Sequence, residues 1–274
     1  MTGEIDETDL RQRVARLSLA QKVRLLSGSS FWAIEPEPDA GLRRFVVSDG
    51  PVGVRGEKWD DRDWSANSPS PTALAASWDE DLIGRIGGLM AAEARRKGVD
   101  VVLAPTVNLH RTPVGGRHFE CYSEDPLLSG RIGAAWVNGL QASGVGACVK
   151  HFVGNDQETD RMAVNNLIEE RPLRELYLAP FEHITEHARP WSFMAAYNQV
   201  NGATMTESPL IKDVLKGEWG SDGLLMSDWF ATRSTAESAN AGLDLAMPGP
   251  VTPWGAALVA AVEAGTVAEA EIDD

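Results

Sequence analysis

Two cysteines in 274 residues, Cys121 and Cys148, are too few for a disulfide framework, and their spacing is not that of a zinc site. Cys148 lies in an apolar run and reads as a small core residue. Cations are scarce too: 25 Lys and Arg stand against 40 Asp and Glu, a formal net charge of −15. Nucleic acid and anionic membrane both demand clustered Lys and Arg, so neither is expected as a partner, and a neutral or polar small molecule is favoured. No apolar run is long enough to span a bilayer, and the acidic stretch Met1–Asp9 has no apolar signal region, so a cytoplasmic location is expected. The first loop lacks the Gly-x-Gly-x-x-Gly fingerprint of dinucleotide sites, and neither cofactor nor metal is expected. Tyrosine is also sparse, three against nine tryptophans. Flat aromatic faces suit carbohydrate, though core packing explains most tryptophans equally well.

What the chain does have is alternation. Short apolar runs bounded by turn signals read as buried strands at 45–47, 99–104, 146–149, 191–196, 223–226 and 243–247. Between them, helices are expected at 79–97, 125–143, 172–188, 208–219 and 232–241, with another from 252 onward and an amphipathic one at 9–26 before the first strand. Residues 59–71 form a long polar loop, a common place for function. Asp79 to Lys97 opens on acidic residues and closes on Arg-Arg-Lys before Gly98, as the helix dipole favours. Six strand–helix alternations with short connections predict a parallel sheet covered by helices. The runs lack a clean in–out alternation, as strands covered on both faces do. The fold class is α/β, and residues 1–274 suit one (β/α)8 barrel, irregular or incomplete forms included, or an open doubly wound sheet.

Position then separates structure from chemistry. Asp49, Asn108, Lys150, His151, Tyr197 and Asp228 all follow apolar runs at or just past their carboxyl ends. In a barrel those ends share one face, where active sites of such enzymes lie. Asp228, in the segment Gly223–Phe230 (GLLMSDWF), reads either as a helix N-cap or as a nucleophile, with Trp229 as a wall for substrate. The other strand ends favour the nucleophile. An aspartate can attack an anomeric carbon while a second carboxyl serves as acid and then base. Asp49 would accept from sugar hydroxyls, Arg55, Arg117, Lys150 and Arg161 would donate, and His151 could do either. The cationic cluster would hold Asp228 ionised.

Five blocks in order carry a specific resemblance: 48–55 (SDGPVGVR), 116–126 (GRHFECYSEDP), 150–158 (KHFVGNDQE) with Arg161, 194–198 (MAAYN) and 227–229 (SDW). The chain resembles the N-terminal barrel of glycoside hydrolase family 3, the retaining β-glucosidases, β-xylosidases and relatives. The resemblance implies Asp228 as nucleophile, with Tyr197 close beside it. It places Asp49, Arg55, Arg117, Lys150, His151, Arg161, Met194, Tyr197 and Trp229 around the non-reducing-end sugar of a β-linked glycoside or oligosaccharide. It also implies a C-terminal α/β sandwich domain, absent from these 274 residues, that supplies the acid/base glutamate. Single-domain relatives carry an acid/base histidine after a Lys-His-Phe-Pro-Gly-His-Gly block, which residues 150–156 do not match. His118 and Cys121 are smaller departures. The alternative is a catalytically silent carbohydrate-binding barrel.

Other groups have plainer readings. His183 and His187 have the spacing of a helical metal pair but sit on a crossover helix without the intervening glutamate. Glu120 and Glu158 are expected to orient Arg117, Lys150 or a hydroxyl. Asp222 is a turn residue and Asp244 a structural one. Trp32, Trp59 and Trp64 either line an outer subsite or pack at the surface.

Overall fold

The computed structural model describes residues 7–58 and 60–274, and Trp59 lies outside the described residues. Helices α1 (Glu7–Val14) and α2 (Leu19–Leu25) precede β1 (Ala33–Ile34) and β2 (Phe45–Asp49). Then come α3 (Pro71–Ala75), α4 (Glu80–Arg96), β3 (Val101–Leu103), α5 (Pro126–Gln141), β4 (Gly146–Phe152) and β5 (Asn165–Asn166). The helical stretch 170–188 comprises α6 (Glu170–Pro172), a wide π-type segment and α7 (Ala179–Ala188). It leads into β6 (Ser192–Ala195), β7 (Gln199–Val200), β8 (Ala203–Thr204) and β9 (Leu224–Ser227), and the chain continues through α8 (Ala236–Asn240), α9 (Ala256–Glu263) and α10 (Ala270–Asp273).

The main sheet has six strands in the order β1-β2-β3-β4-β6-β9. Every pairing is parallel except the antiparallel β1–β2 edge. Beyond β9, Leu245 bridges Met226 and Ala246 bridges Ser27, both in parallel sense. The Ala246 amide donates to Leu26 at 2.9 Å, and Gly28 returns a bond to Ala246 at 3.0 Å. The segment after β9 thus ties one end of the curled sheet to the chain leading into β1.

Two apolar layers explain the missing alternation. Val47, Val101, Leu103, Cys148, Met194, Met226 and Leu245 point into the concave side. Their neighbours Val46, Val102, Ala147, Val149, Phe193 and Leu225 point outward against the helices. Both faces of each strand are buried, so both parities are apolar. Helices α4 and α5 cross at backbone distance, since a Cβ at Gly139 would sit 2.0 Å from the Gly84 carbonyl oxygen.

Several expectations are corrected. The single helix 9–26 is broken at Ser18, whose hydroxyl accepts from the Gln21 amide while Gln21 bonds back to the Ser18 amide, a capping box that starts a second helix. The strand at 243–247 reduces to isolated bridge residues, and the helix at 232–241 to Ala236–Asn240. A small sheet of β5, β7 and β8 was not anticipated in the polar loops. It is held by asparagines: Asn165 accepts from Gly202 N–H at 2.8 Å, and Asn166 donates to Gly154 at 2.8 Å.

Candidate active site

β2, β4, β6 and β9 run in one direction, so their carboxyl ends open on one side. There Asp49 ends β2, Lys150 and His151 stand near the end of β4, Met194 lies within β6 with Tyr197 just past it, and Asp228 follows β9. The loops bring in Arg55, Arg117 and Arg161. Together with Trp229, Phe31 and Trp32 these residues line a cavity of about 260 Å³. All ten predicted site residues are among its walls. A larger groove of about 780 Å³ between α2, the loop near Pro250 and α9 shares none of them.

Asp228 is 7% exposed, and its backbone amide donates to Ala195 at 3.0 Å. Its Oδ1 accepts from the Trp229 amide at 2.7 Å. Its Oδ2 has no hydrogen-bond partner among the described residues and lies 3.5 Å from His151 Nε2. Burial pushes the carboxyl above its ordinary range; the Lys150 charge, the Trp229 amide, Arg117 and the Tyr197 hydroxyl oppose that rise. Tyr197 is raised in turn, first by burial and then by the Asp228 charge.

The cations are braced by acids. Lys150 Nζ is 3.4 Å from Asp49 Oδ1, and Arg55 Nη1 is 3.8 Å from Asp49 Oδ2. Arg117 Nε donates to Glu120 at 2.6 Å, and Thr106 donates to the other Glu120 oxygen at 3.0 Å. Burial would raise the Glu120 carboxyl, but Lys150 and Arg117 outweigh it and hold it below the usual range. Arg161 donates to Glu158 at 2.6 Å and lies 4.9 Å over the Tyr197 ring. Glu120 and Glu158 therefore orient Arg117 and Arg161. His151 is driven well below its ordinary pKa by burial and by Arg117, Lys150 and Arg161, so it is neutral.

The aromatic wall was only half anticipated. Trp32 and Trp229 are both buried with ring centroids 5.2 Å apart, and the Trp229 indole donates to the Phe31 carbonyl at 2.9 Å. Phe31 was missed; its signal was adjacency to Trp32, just before the first strand. Asn108 departs from expectation: it is buried and bonds His151 instead of lining the cavity. The Trp64 side chain is at the surface, 82% exposed. His183 and His187 stack on each other with centroids 4.1 Å apart, and no group of three or more metal-ligating side chains occurs among the described residues. Asp244 accepts from Lys216 at 2.6 Å and from the Leu225 amide at 2.7 Å, a structural role. Among the described residues no helix is long and apolar enough to cross a membrane.

Residues 53–274 match the family description "Glycosyl hydrolase family 3 N terminal domain". Beta-glucosidase B of Emericella nidulans is 46% identical over 274 residues, covering 99% of this chain and 32% of that protein. A beta-glucosidase of Rhizobium radiobacter is 46% identical over 254 residues, covering 92% of this chain and 31% of that one. Among solved structures, beta-glucosidase 3B from Thermotoga neapolitana in complex with glucose is 38% identical with a TM-score of 0.92, covering 97% of this chain and 41% of that one. The beta-glucosidase of Kluyveromyces marxianus in complex with glucose is 42% identical with a TM-score of 0.94, covering 97% of this chain and 32% of that one. The chain thus spans about a third of the length of the curated relatives it matches.

Proposed function

This chain belongs to glycosyl hydrolase family 3, whose N-terminal domain it carries, and on that premise we propose that it forms the nucleophile half of a retaining β-glycoside hydrolase of β-glucosidase or β-xylosidase type. Asp228 attacks the anomeric carbon of the non-reducing-end sugar and forms an aspartyl glycosyl-enzyme that water later cleaves. The observation that carries this reading is the convergence on one cavity of four cations and a buried carboxylate whose Oδ2 has no hydrogen-bond partner among the described residues. Cations close to a desolvated carboxylate favour its ionised form and oppose the upward pull of burial. Asp49, Arg55, Arg117, Lys150, His151 and Arg161 hold the hydroxyls, while Met194, Tyr197 and Trp229 shape the wall. A cavity of about 260 Å³ lies just under the usual ~300–1,000 Å³ of drug-sized pockets and suits a single ring.

Residues 1–274 act as one barrel domain in this proposal. The bridges Met226–Leu245 and Ser27–Ala246 support reading the curled sheet as a barrel wall, as does the likeness to the Thermotoga and Kluyveromyces structures. The proton donor is a glutamate in a C-terminal domain outside these residues. Supporting that, the nearby Glu120 and Glu158 are engaged with arginines, and among the described residues the one carboxylate besides Asp228 that lines the cavity, Asp49, faces Lys150 and Arg55. In the complete protein, Asp228→Ala should lose at least three orders of magnitude in turnover of an aryl β-glucoside, in line with removal of a covalent nucleophile. Calorimetry on the same variant should still detect glucose. Sugar binding by the complete wild-type protein without turnover would instead support a silent carbohydrate-binding barrel.

A further inference from the structure

Among the described residues the Asn108 side chain makes three polar contacts, all to one residue. Its Nδ2 donates to the His151 carbonyl at 3.0 Å, and its Oδ1 accepts from the His151 backbone amide at 2.9 Å. The same Oδ1 lies 3.0 Å from His151 Nδ1. The two backbone contacts fix which way the amide points, because a carbonyl can only accept and an N–H can only donate. Turning the amide over would set NH2 against N–H and oxygen against oxygen. The atom facing the imidazole is therefore an acceptor, and Nδ1 must carry the proton.

From this geometry we propose that Asn108 is a positioning residue that locks His151 in its Nδ1–H tautomer, so that Nε2 enters the cavity as a bare acceptor selecting a substrate hydroxyl that donates to it. The competing tautomer would place a proton on Nε2, 3.5 Å from Asp228 Oδ2. It would gain that long contact at the loss of a 3.0 Å bond, leaving two lone pairs face to face at Nδ1 and Oδ1. Adding a second proton is opposed by burial and by Arg117, Lys150 and Arg161. His151 Nε2 and Asp228 Oδ2 are then neighbouring acceptors, and a ring hydroxyl entering between them supplies the missing donor. Asn108 is 3% exposed and does not line the cavity, so it acts on substrate only through His151. The identity of the hydroxyl's owner as a sugar rests on the proposed hydrolase function; the tautomer does not.

The test is long-range ¹H–¹⁵N correlation on the ¹⁵N-histidine-labelled chain, between about pH 5 and 8, where an ordinary imidazole titrates. Its five histidines give one pattern each, and loss of a pattern in His151→Gln identifies the relevant one. His151 should show a proton-bearing Nδ1 and a bare, pyridine-like Nε2 throughout. Asn108→Ala should turn this into a mixture or into Nε2–H. A wild-type spectrum with Nε2–H or with both nitrogens protonated overturns the proposal. So does an unchanged pattern in an Asn108→Ala variant whose circular dichroism is native. If that variant does not fold, the wild-type spectrum still decides. An enzyme without glycosidase turnover would contradict the proposed function and leave this result standing.

Discussion

At the residue scale, the site is a contest between burial and charge centred on Asp228. Burial drives its carboxyl toward the neutral form, and Lys150 is the largest of the opposing influences. A neutral carboxylic acid is a poor nucleophile, so the ionised fraction should set the acidic limb of the rate profile. Lys150→Met removes the opposing charge and lets the Asp228 pKa rise further. The acidic limb of kcat/KM in the complete enzyme should move to higher pH, on the order of one unit if about 1.4 kcal/mol of charge interaction is lost. A limb that stays in place, or moves to lower pH, would show that Lys150 does not sustain the ionised form. Asp156 presents the same conflict without catalysis. It is buried, accepts from the Leu109 amide, has an Oδ2 with no hydrogen-bond partner among the described residues, and burial pushes its carboxyl up to about 7. The folded state therefore holds a proton that the unfolded chain, near 3.8, has already released. Its stabilising effect is fully present below the unfolded value and is lost as pH rises through about 7. Asp156→Asn keeps an acceptor for Leu109 and removes the titration. Its denaturation midpoint, compared with wild type, should gain most at pH 8 and least at pH 4, and equal gains at both would refute the assignment.

At the element scale, the helical jacket depends on glycine where two backbones meet. A Cβ at Gly139 in α5 would lie 2.0 Å from the Gly84 carbonyl oxygen of α4. Gly88, on the same helix as Gly84, would meet nothing nearer than 3.9 Å. Helix propensity alone gives alanine an advantage of ~1 kcal/mol at either position. Overpacking at a close crossing costs ~1–3 kcal/mol, so the clash should win at one site and not the other. Denaturant titration should show Gly139→Ala destabilised and Gly88→Ala unchanged or slightly stabilised. Equal effects would mean that the crossing yields easily. Elements with strong local punctuation were legible from the sequence: α4 runs from its N-cap Asp79 to Lys97 just before Gly98, as its charges and glycine indicate. The break at Ser18 was not, because the apolar periodicity of 9–26 continues through it while the capping box interrupts the helix. The small sheet of β5, β7 and β8 was hidden because its strands are two residues long and are fixed by asparagine side chains reaching across sequence.

At the scale of the whole molecule, parallel strands gather distant residues at one side, and that made most of the site legible. Asp49, Lys150, Tyr197 and Asp228 could be recognised because each follows an apolar run, and topology did the rest. Arg117 and Arg161 sit in loops; their donor chemistry made them candidates, and the resemblance of their surrounding blocks placed them at the sugar. Asn108 shared the strand-end signal yet turns inward, since its partner His151 is 43 positions away and nothing local announces the pairing. The step on which everything else depends is the covalent bond that Asp228 forms to sugar. The direct measurement is azide rescue of Asp228→Ala in the complete protein, with the product anomer read by proton NMR. The small anion should occupy the space left by the carboxylate, restore part of the turnover and give the glycosyl azide of inverted, α configuration. Wild-type enzyme should give the β product. Normal turnover by Asp228→Ala without azide would contradict the central claim, as would a wild-type product of inverted configuration.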